Sequence, residues 1–272
     1  MSGVILAVVE HPESAHQTLA AARRLASLMG SARINVLAVR VLPESTIMPT
    51  EEILTSYQAT QIRRREEERV AALHATFESW ATTARAASVA VEWVDVEGPA
   101  DTLVSEWGRR SDFLVLNCPA SRDNVPDRLK LQAALFDTDR PVLMVPPGPA
   151  VSFGECVTIA WRDDKRTIRS VLAALRLLSQ AREVHVVAGV RAGLPAPGLP
   201  EILAEHGIAA TLHVMEAVAG AFGAPLLAKA HALGTDLLVM GAYTHSPWRQ
   251  LVLGGVTRHM LAHADLPILM RH

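Results

Sequence analysis

Aromatic side chains are scarce in this sequence, and the shortage already constrains its core. Phe, Trp and Tyr together make up 4% of 272 residues, while hydrophobic residues reach 50%. The interior therefore falls to Ala, Leu and Val, the mixture that packs helices against buried parallel strands. Cysteine occurs only at positions 118 and 156, outside any Cys-x-x-Cys frame. That usage suits a reducing compartment, with both residues read as small buried side chains rather than a redox pair. Positive charge is not in excess: 26 Lys and Arg face 28 Asp and Glu, a net charge of -2. No nucleic-acid footprint is expected from that balance. Long apolar runs are missing too, since none approaches the ~18 residues needed to span a bilayer. The first apolar run stops at Glu10 and has no basic lead-in, too short for a signal peptide. A cytoplasmic protein without membrane or nucleic-acid partners is expected.

Catalytic signatures are absent as well. There is no Gly-x4-Gly-Lys-Ser/Thr, Gly-x-Gly-x-x-Gly, His-Glu-x-x-His or Gly-x-Ser-x-Gly. The three lysines, Lys130, Lys165 and Lys229, lie outside the glycine-bounded loop described below. His259 and His263 stand four apart on a helical pattern, but with no third ligand in view they read as surface or packing residues. The charged run 63–69, with opposite charges four apart as in Arg63 and Glu67, reads as a solvated helix face.

What is present is an alternation of short apolar runs and helical stripes. Residues 4–9 and 34–39 read as strands separated by a helix carrying Leu19, Ala22, Leu25 and Leu28, ended by Gly30. A long helical region over 51–87 follows, with Ile53, Leu54, Tyr57, Val70, Leu73, Phe77 and Trp80 as its buried stripe. Strands at 89–96, 113–116 and 141–145 complete five, with helices between them, and 146–149 is a proline-rich linker. The pattern then restarts: a strand at 157–161, a helical stripe of Ile168, Val171, Leu172, Leu175 and Leu178, and strands at 184–187, 211–214, 237–240 and 268–270. Ser111-Asp112-Phe113-Leu114-Val115-Leu116 matches Thr235-Asp236-Leu237-Leu238-Val239-Met240 at an offset of 124, and 139–144 matches 265–270 at an offset of 126. Such self-similarity over half the chain is a tandem duplication of a doubly wound α/β unit. Two domains are expected, 1–147 and 152–272, each with a five-stranded, mostly parallel sheet flanked by helices.

The most informative stretch runs from Gly241 to Arg258, between an apolar strand and the last helix. Gly241 frees the chain to turn sharply off the strand. Gly254 and Gly255 let a ligand approach the backbone at the start of the helix, whose unpaired N–H groups favour an anion. In spacing, this stretch resembles the nucleotide loop of the universal stress protein family, Gly-x2-Gly-x9-Gly-Ser/Thr. Thr244 stands at that frame's second glycine and Gly255 at its hydroxyl position, with Thr257 two residues on as a substitute hydroxyl.

The resemblance spans nearly the whole chain and implies an adenine nucleotide alpha hydrolase-like fold whose halves pair around their last strands, with a homodimer as a further option. It implies ATP or AMP, with Mg accompanying ATP, at a site in the second half. The residues carried over are Ala160, Trp161, Arg162 and Asp163 after the first strand, Val187 on the second, Gly241, Thr244 and His245 after the fourth, and Gly254, Gly255, Val256 and Thr257 at the last helix. Arg162 takes the position where the family has an acidic residue; Arg162, Arg249 and Arg258 are candidate phosphate partners. In the first half, Asn117-Cys118-Pro119-Ala120-Ser121 has no glycines and is read as degenerate. Three readings stand at this point: a nucleotide-binding stress regulator, a ligand-free scaffold that engages another protein, and a slow phosphohydrolase for which no base or metal set can be named.

Overall fold

In the computed structural model, which describes residues 3–43, 55–119, 125–149, 152–190, 193–216, 222–242 and 254–272, the apolar runs become ten strands. These are β1 (Gly3–Val9), β2 (Ala32–Arg40), β3 (Val91–Glu97), β4 (Phe113–Asn117) and β5 (Val142–Val145), then β6 (Cys156–Trp161), β7 (Glu183–Val190), β8 (Thr211–Glu216), β9 (Leu237–Gly241) and β10 (Ile268–Arg271). The helices are α1 (Pro12–Met29), α2 (Ser56–Ala86), α3 (Ala100–Arg109), α4 (Val125–Gln132), α5 (Lys165–Leu178), α6 (Glu201–Glu205), α7 (Gly223–Ala232) and α8 (Gly255–His263), with a π-helical turn at Ala133–Asp137. No described helix is long and apolar enough to cross a membrane.

The strands form one sheet in the order β3-β2-β1-β4-β5-β10-β9-β6-β7-β8. Each half is thus an open parallel sheet of the same order, and the halves meet where β5 pairs antiparallel with β10. Leu143 is the register partner of Leu269, and these two residues are equivalent in the 126-residue repeat. A local twofold axis therefore passes between them.

The repeated Asp has a structural reason. Asp112 accepts from the Val4 N–H at 2.8 Å, so the residue before β4 pins the start of β1. Asp236 does the same for β6 more extensively, accepting from the N–H groups of Gly154, Glu155 and Cys156 at 2.8, 2.9 and 3.1 Å. The core lies in two layers, one on each sheet face, and both run across the two halves. Ile5, Val36, Leu143, Val157, Val239 and Leu269 share the layer covered by α1, α2 and α5. Leu6, Leu114, Met144, Leu238, Met240 and Ile268 share the layer covered by α3, α4, α7 and α8.

Two expected core residues lie at the surface. Tyr57 is 73% exposed, because the buried residues of α2 begin only at Val70. A 31-residue helix is roughly 46 Å long, well beyond the sheet it covers, so its first turns overhang. Leu172 is 45% exposed. The face of α5 that meets the sheet is centred on Thr167, Ser170, Val171, Ala174, Leu177 and Leu178. Small residues allow close approach to β9 and β10, and the Ser170 hydroxyl is satisfied by donation to the Arg166 and Arg271 carbonyls. An apolar stripe alone could not register two polar residues on the buried side.

Candidate functional site

In an open α/β sheet a ligand crevice forms beyond the carboxyl ends of the strands where the order reverses. Here that happens twice, between β1 and β4 and between β6 and β9. Pairing registers align the two places: Ile5 sits beside Phe113 as Val157 sits beside Leu237. Glu10 is then the counterpart of Arg162, and Asn117 the counterpart of Gly241.

The first crevice is filled by the protein's own charges. Lys130 of α4, 9% exposed, places its ammonium 2.8 Å from Glu10 and 3.1 Å from Asp127. His11 Nε2 lies 3.8 Å from Asp127 and 3.9 Å from Glu10. Burial raises the Glu10 carboxyl above its ordinary value, with Lys130 opposing. Burial acts to raise Asp127 as well, but hydrogen bonding with His11 and the Lys130 charge hold it well below the usual carboxylate range. His11 is raised, chiefly by its hydrogen bond with Asp127. Beside this cluster, Arg69 of α2 donates to the carbonyls of Glu10 and Val39 at 2.7 and 2.6 Å, covering the ends of β1 and β2. Glu66 pairs with Arg69 at 2.8 Å and accepts from the Val41 N–H. At the end of β4, the Asn117 side chain accepts from Thr18 at 2.8 Å and donates to Ser14, tying the strand to α1.

Sequence reasoning missed this cluster. Its only signal was that Lys130, one of three lysines, lies three residues after Asp127 in a helical pattern. Cys118, at the same edge, is pushed by burial up to about 12, so it stays a thiol.

The second crevice is built differently. Ala160 is the register partner of Val187 on one side and of Met240 on the other, so Ala160, Trp161, Val187 and Gly241 come together toward one sheet edge. Gly241 carries no side chain where Asn117 stands in the first half. It does not turn the chain: Gly241 is still in β9 opposite Arg271, and the Ala242 N–H continues the ladder to the Arg271 carbonyl at 2.8 Å. Its backbone is not left-handed, so the expected sharp turn at Gly241 is corrected to a strand end. Thr244, His245 and Arg249 lie outside the described residues.

After β6, Arg162 and Asp163 are exposed, and the Arg162 Nε lies 3.2 Å from Asp164. Asp164 also caps α5, accepting from the Arg166 and Thr167 N–H groups at 3.0 and 3.1 Å. At α8, Gly254 is the N-cap residue, and among the described residues no side chain caps the helix. Gly255 and Val256 in its first turn are half-buried; Thr257 is 0% exposed, as is Val187 on β7. Arg258 is exposed. The α8 first turn therefore offers backbone N–H groups and their partial positive charge, the complement of a phosphate.

The sequence matches no protein-family model and no curated protein. Solved structures do match. A universal stress protein from Archaeoglobus fulgidus DSM 4304 superposes over 100% of this chain and 96% of its own, with a TM-score of 0.72 at 16% identity. A structure described as a putative universal stress protein from Pseudomonas aeruginosa UCBPP-PA14 covers 99% and 93%, with a TM-score of 0.64 at 16% identity. The cytoplasmic domain of a prokaryotic cation chloride cotransporter covers 99% and 94%, with a TM-score of 0.51 at 13% identity. The chain has the fold of universal stress proteins across its whole length.

Proposed function

We propose that this chain is a cytoplasmic tandem universal stress protein that binds an adenine nucleotide, ATP or AMP, at the carboxyl edge between β6 and β9, and acts as a regulatory binding module. The observation that carries this reading is the glycine N-cap of α8, set after β9, which no side chain of the described residues caps. The contrast with the other crevice supports it, since there Glu10, Asp127 and Lys130 fill the equivalent edge. With ATP, a Mg2+ ion would accompany the ligand and supply neutralisation of the phosphate charge. The chain's own part is to orient phosphates on the α8 N–H groups, with exposed Arg162 and Arg258 as charged partners.

Two measurements test this. Protein purified without added nucleotide is denatured in acid, and the supernatant is chromatographed against adenine nucleotide standards. A near-stoichiometric peak is expected, or a rise in melting temperature with millimolar ATP, because a ligand of the native state alone must stabilise it. Gly254→Val is expected to abolish either signal while keeping the far-ultraviolet spectrum. Gly254 has φ -57 and ψ 151, which valine adopts freely, so the backbone is not strained; because Gly254 is buried, an unchanged denaturant midpoint is the check that the variant is folded. Nucleotide affinity unchanged in that variant would place the site elsewhere.

A second reading, a ligand-free pseudo-dimer that engages another protein, is favoured by the Arg162–Asp164 pair and by the burial of Thr257. An empty supernatant together with no thermal shift selects it.

A further inference from the structure

At the opposite, amino-terminal edge of the second half, three metal-binding side-chain types converge. Cys156 opens β6 and Glu183 opens β7, and the two are register partners. His185 follows Glu183 by two residues and so shares its face of the strand. Cys156 Sγ, a Glu183 carboxylate oxygen and a His185 ring nitrogen all lie within 4.8 Å of one another. His185 turns Nε2 toward Glu183, 3.6 Å from Oε2. Its other nitrogen, Nδ1, lies 3.3 Å from Nε2 of His213 on β8. Metal-bound histidines are held this way, one nitrogen on the ion and the other N–H donated to a fixed acceptor.

The surrounding charges leave this arrangement available. Arg182 pairs with the other Glu183 oxygen, Oε1, at 3.2 Å, and the carboxyl of Asp236 is occupied by three backbone N–H groups. The Cys156 thiol donates to the Leu233 carbonyl at 3.3 Å. By contrast, the Glu10, His11 and Asp127 group in the first half has its cation position taken by the Lys130 ammonium. The cluster is also particular to the second half. In the first, the residues paired at the same register are Val4 and Arg33, and Asn35 follows, none of which supplies this donor set.

We propose that Cys156, Glu183 and His185 bind a zinc-class divalent cation, with His213 positioning His185. A thiolate, an imidazole and a carboxylate with a fourth place open to water form a zinc donor set, whereas Mg2+ and Ca2+ take all-oxygen shells. On binding, the Cys156 thiol releases its proton to solvent as the sulfur–metal bond forms, and the Leu233 carbonyl loses that donor. The ion clamps β6 to β7 at the sheet edge away from the nucleotide crevice, so the site stands or falls independently of nucleotide binding.

The test uses the full chain, stripped with a chelator and titrated with Zn2+ against a competing chromophoric chelator, and separately with Co2+ as a spectroscopic probe. Wild type is expected to bind one ion per chain, with thiolate-to-cobalt charge transfer in the near ultraviolet. Cys156→Ser should remove that band, and both Cys156→Ser and His185→Gln should weaken Zn2+ by about tenfold or more. Cys118→Ser and the double variant His259→Ala/His263→Ala should bind as wild type. His213→Leu should weaken binding by about tenfold, and His213→Gln, which keeps an acceptor for the Nδ1–H, should recover part of the loss. Circular dichroism confirms that each variant is folded. The site is overturned by the absence of stoichiometric binding in wild type, by binding that survives Cys156→Ser, or by loss of binding in the His259/His263 variant. Unchanged affinity in His213→Leu overturns the positioning role.

Discussion

Replacing Lys130 with Met should destabilise the protein more than most single substitutions, and in a pH-dependent way. The Lys130 ammonium touches Glu10 at 2.8 Å and Asp127 at 3.1 Å in a site where all three side chains are largely buried. Methionine keeps the length and apolar stem of lysine, so the packing change costs less than about 1.5 kcal/mol. The larger effect is two buried carboxylates left without the ammonium that lies between them. Breaking a buried ion pair by removing one partner costs about 3–5 kcal/mol.

Glu10 supplies the pH dependence. Burial already raises its pKa while Lys130 opposes that rise, so the variant raises it further. A carboxyl whose folded pKa exceeds its unfolded value is stabilised in its protonated form, so folding gains as pH falls through the folded pKa. The penalty should therefore be full at about pH 8 and shrink toward the ordinary carboxylate range of about 4–5. Urea unfolding followed by tryptophan fluorescence at several pH values measures it. In a double-mutant cycle, Glu10→Gln should relieve part of the Lys130→Met cost, with a coupling of about 2 kcal/mol. A cost below about 1 kcal/mol near neutrality, or one that grows as the solution is acidified, would refute the reasoning.

Asp236→Ala should cost about 2–4 kcal/mol and Asp112→Ala about 1–2, because Asp236 accepts three backbone N–H groups where Asp112 accepts one from Val4. Chemical denaturation of the two variants checks the ranking, and the reverse order would remove the account of the repeated Asp. His11 is raised above 6.5 mainly by its hydrogen bond with Asp127. Its contribution is fully present below 6.5 and lost as pH rises through the folded value. The stability gap between wild type and His11→Gln should accordingly narrow from mildly acidic to alkaline solution, and a gap that widens would contradict it.

Much of the architecture was legible because a parallel strand buried on both faces is a short, unbroken apolar run, as in β1, β4 and β9, while the edge strands β3 and β8 alternate apolar and polar residues. The internal match of Asp112 to Asp236 and of Leu143 to Leu269 carried more, since residues equivalent in a tandem repeat are the ones a local twofold brings face to face. The long helix α2 was legible in existence but not in depth. Its pattern continues through Tyr57 although the sheet beneath it ends near Val70, and sequence periodicity contains no information about where a partner surface stops. On α5 the failure was of another kind: Thr167 and Ser170 face the sheet because closeness matters there more than hydrophobicity, and their polarity made them look like the outer side.

The candidate crevices show the limit most clearly. Glu10, Arg69 and Lys130 lie about sixty residues apart in the chain, and each has an ordinary local explanation: a strand end, a charged helix face, an i,i+3 neighbour of Asp127. Only the reversal of strand order between β1 and β4 brings them together, and they close the crevice that the same topology opens. In the second half the register places Arg162 where Glu10 stands and Gly241 where Asn117 stands. Neither replacement repeats the first-half contacts, because a guanidinium cannot accept from an ammonium and a glycine has no side-chain amide to bond across to a helix. Under the proposed nucleotide reading, one copy of a duplicated crevice suffices for the ligand, and the other is free to accumulate charges that satisfy one another. On that argument, the side-chain ions of the first half and the glycine N-cap of the second are two outcomes of one duplicated geometry. Opening the first crevice would take more than introducing a glycine at Asn117, since the Lys130 cluster and the Arg69 contacts would still fill it.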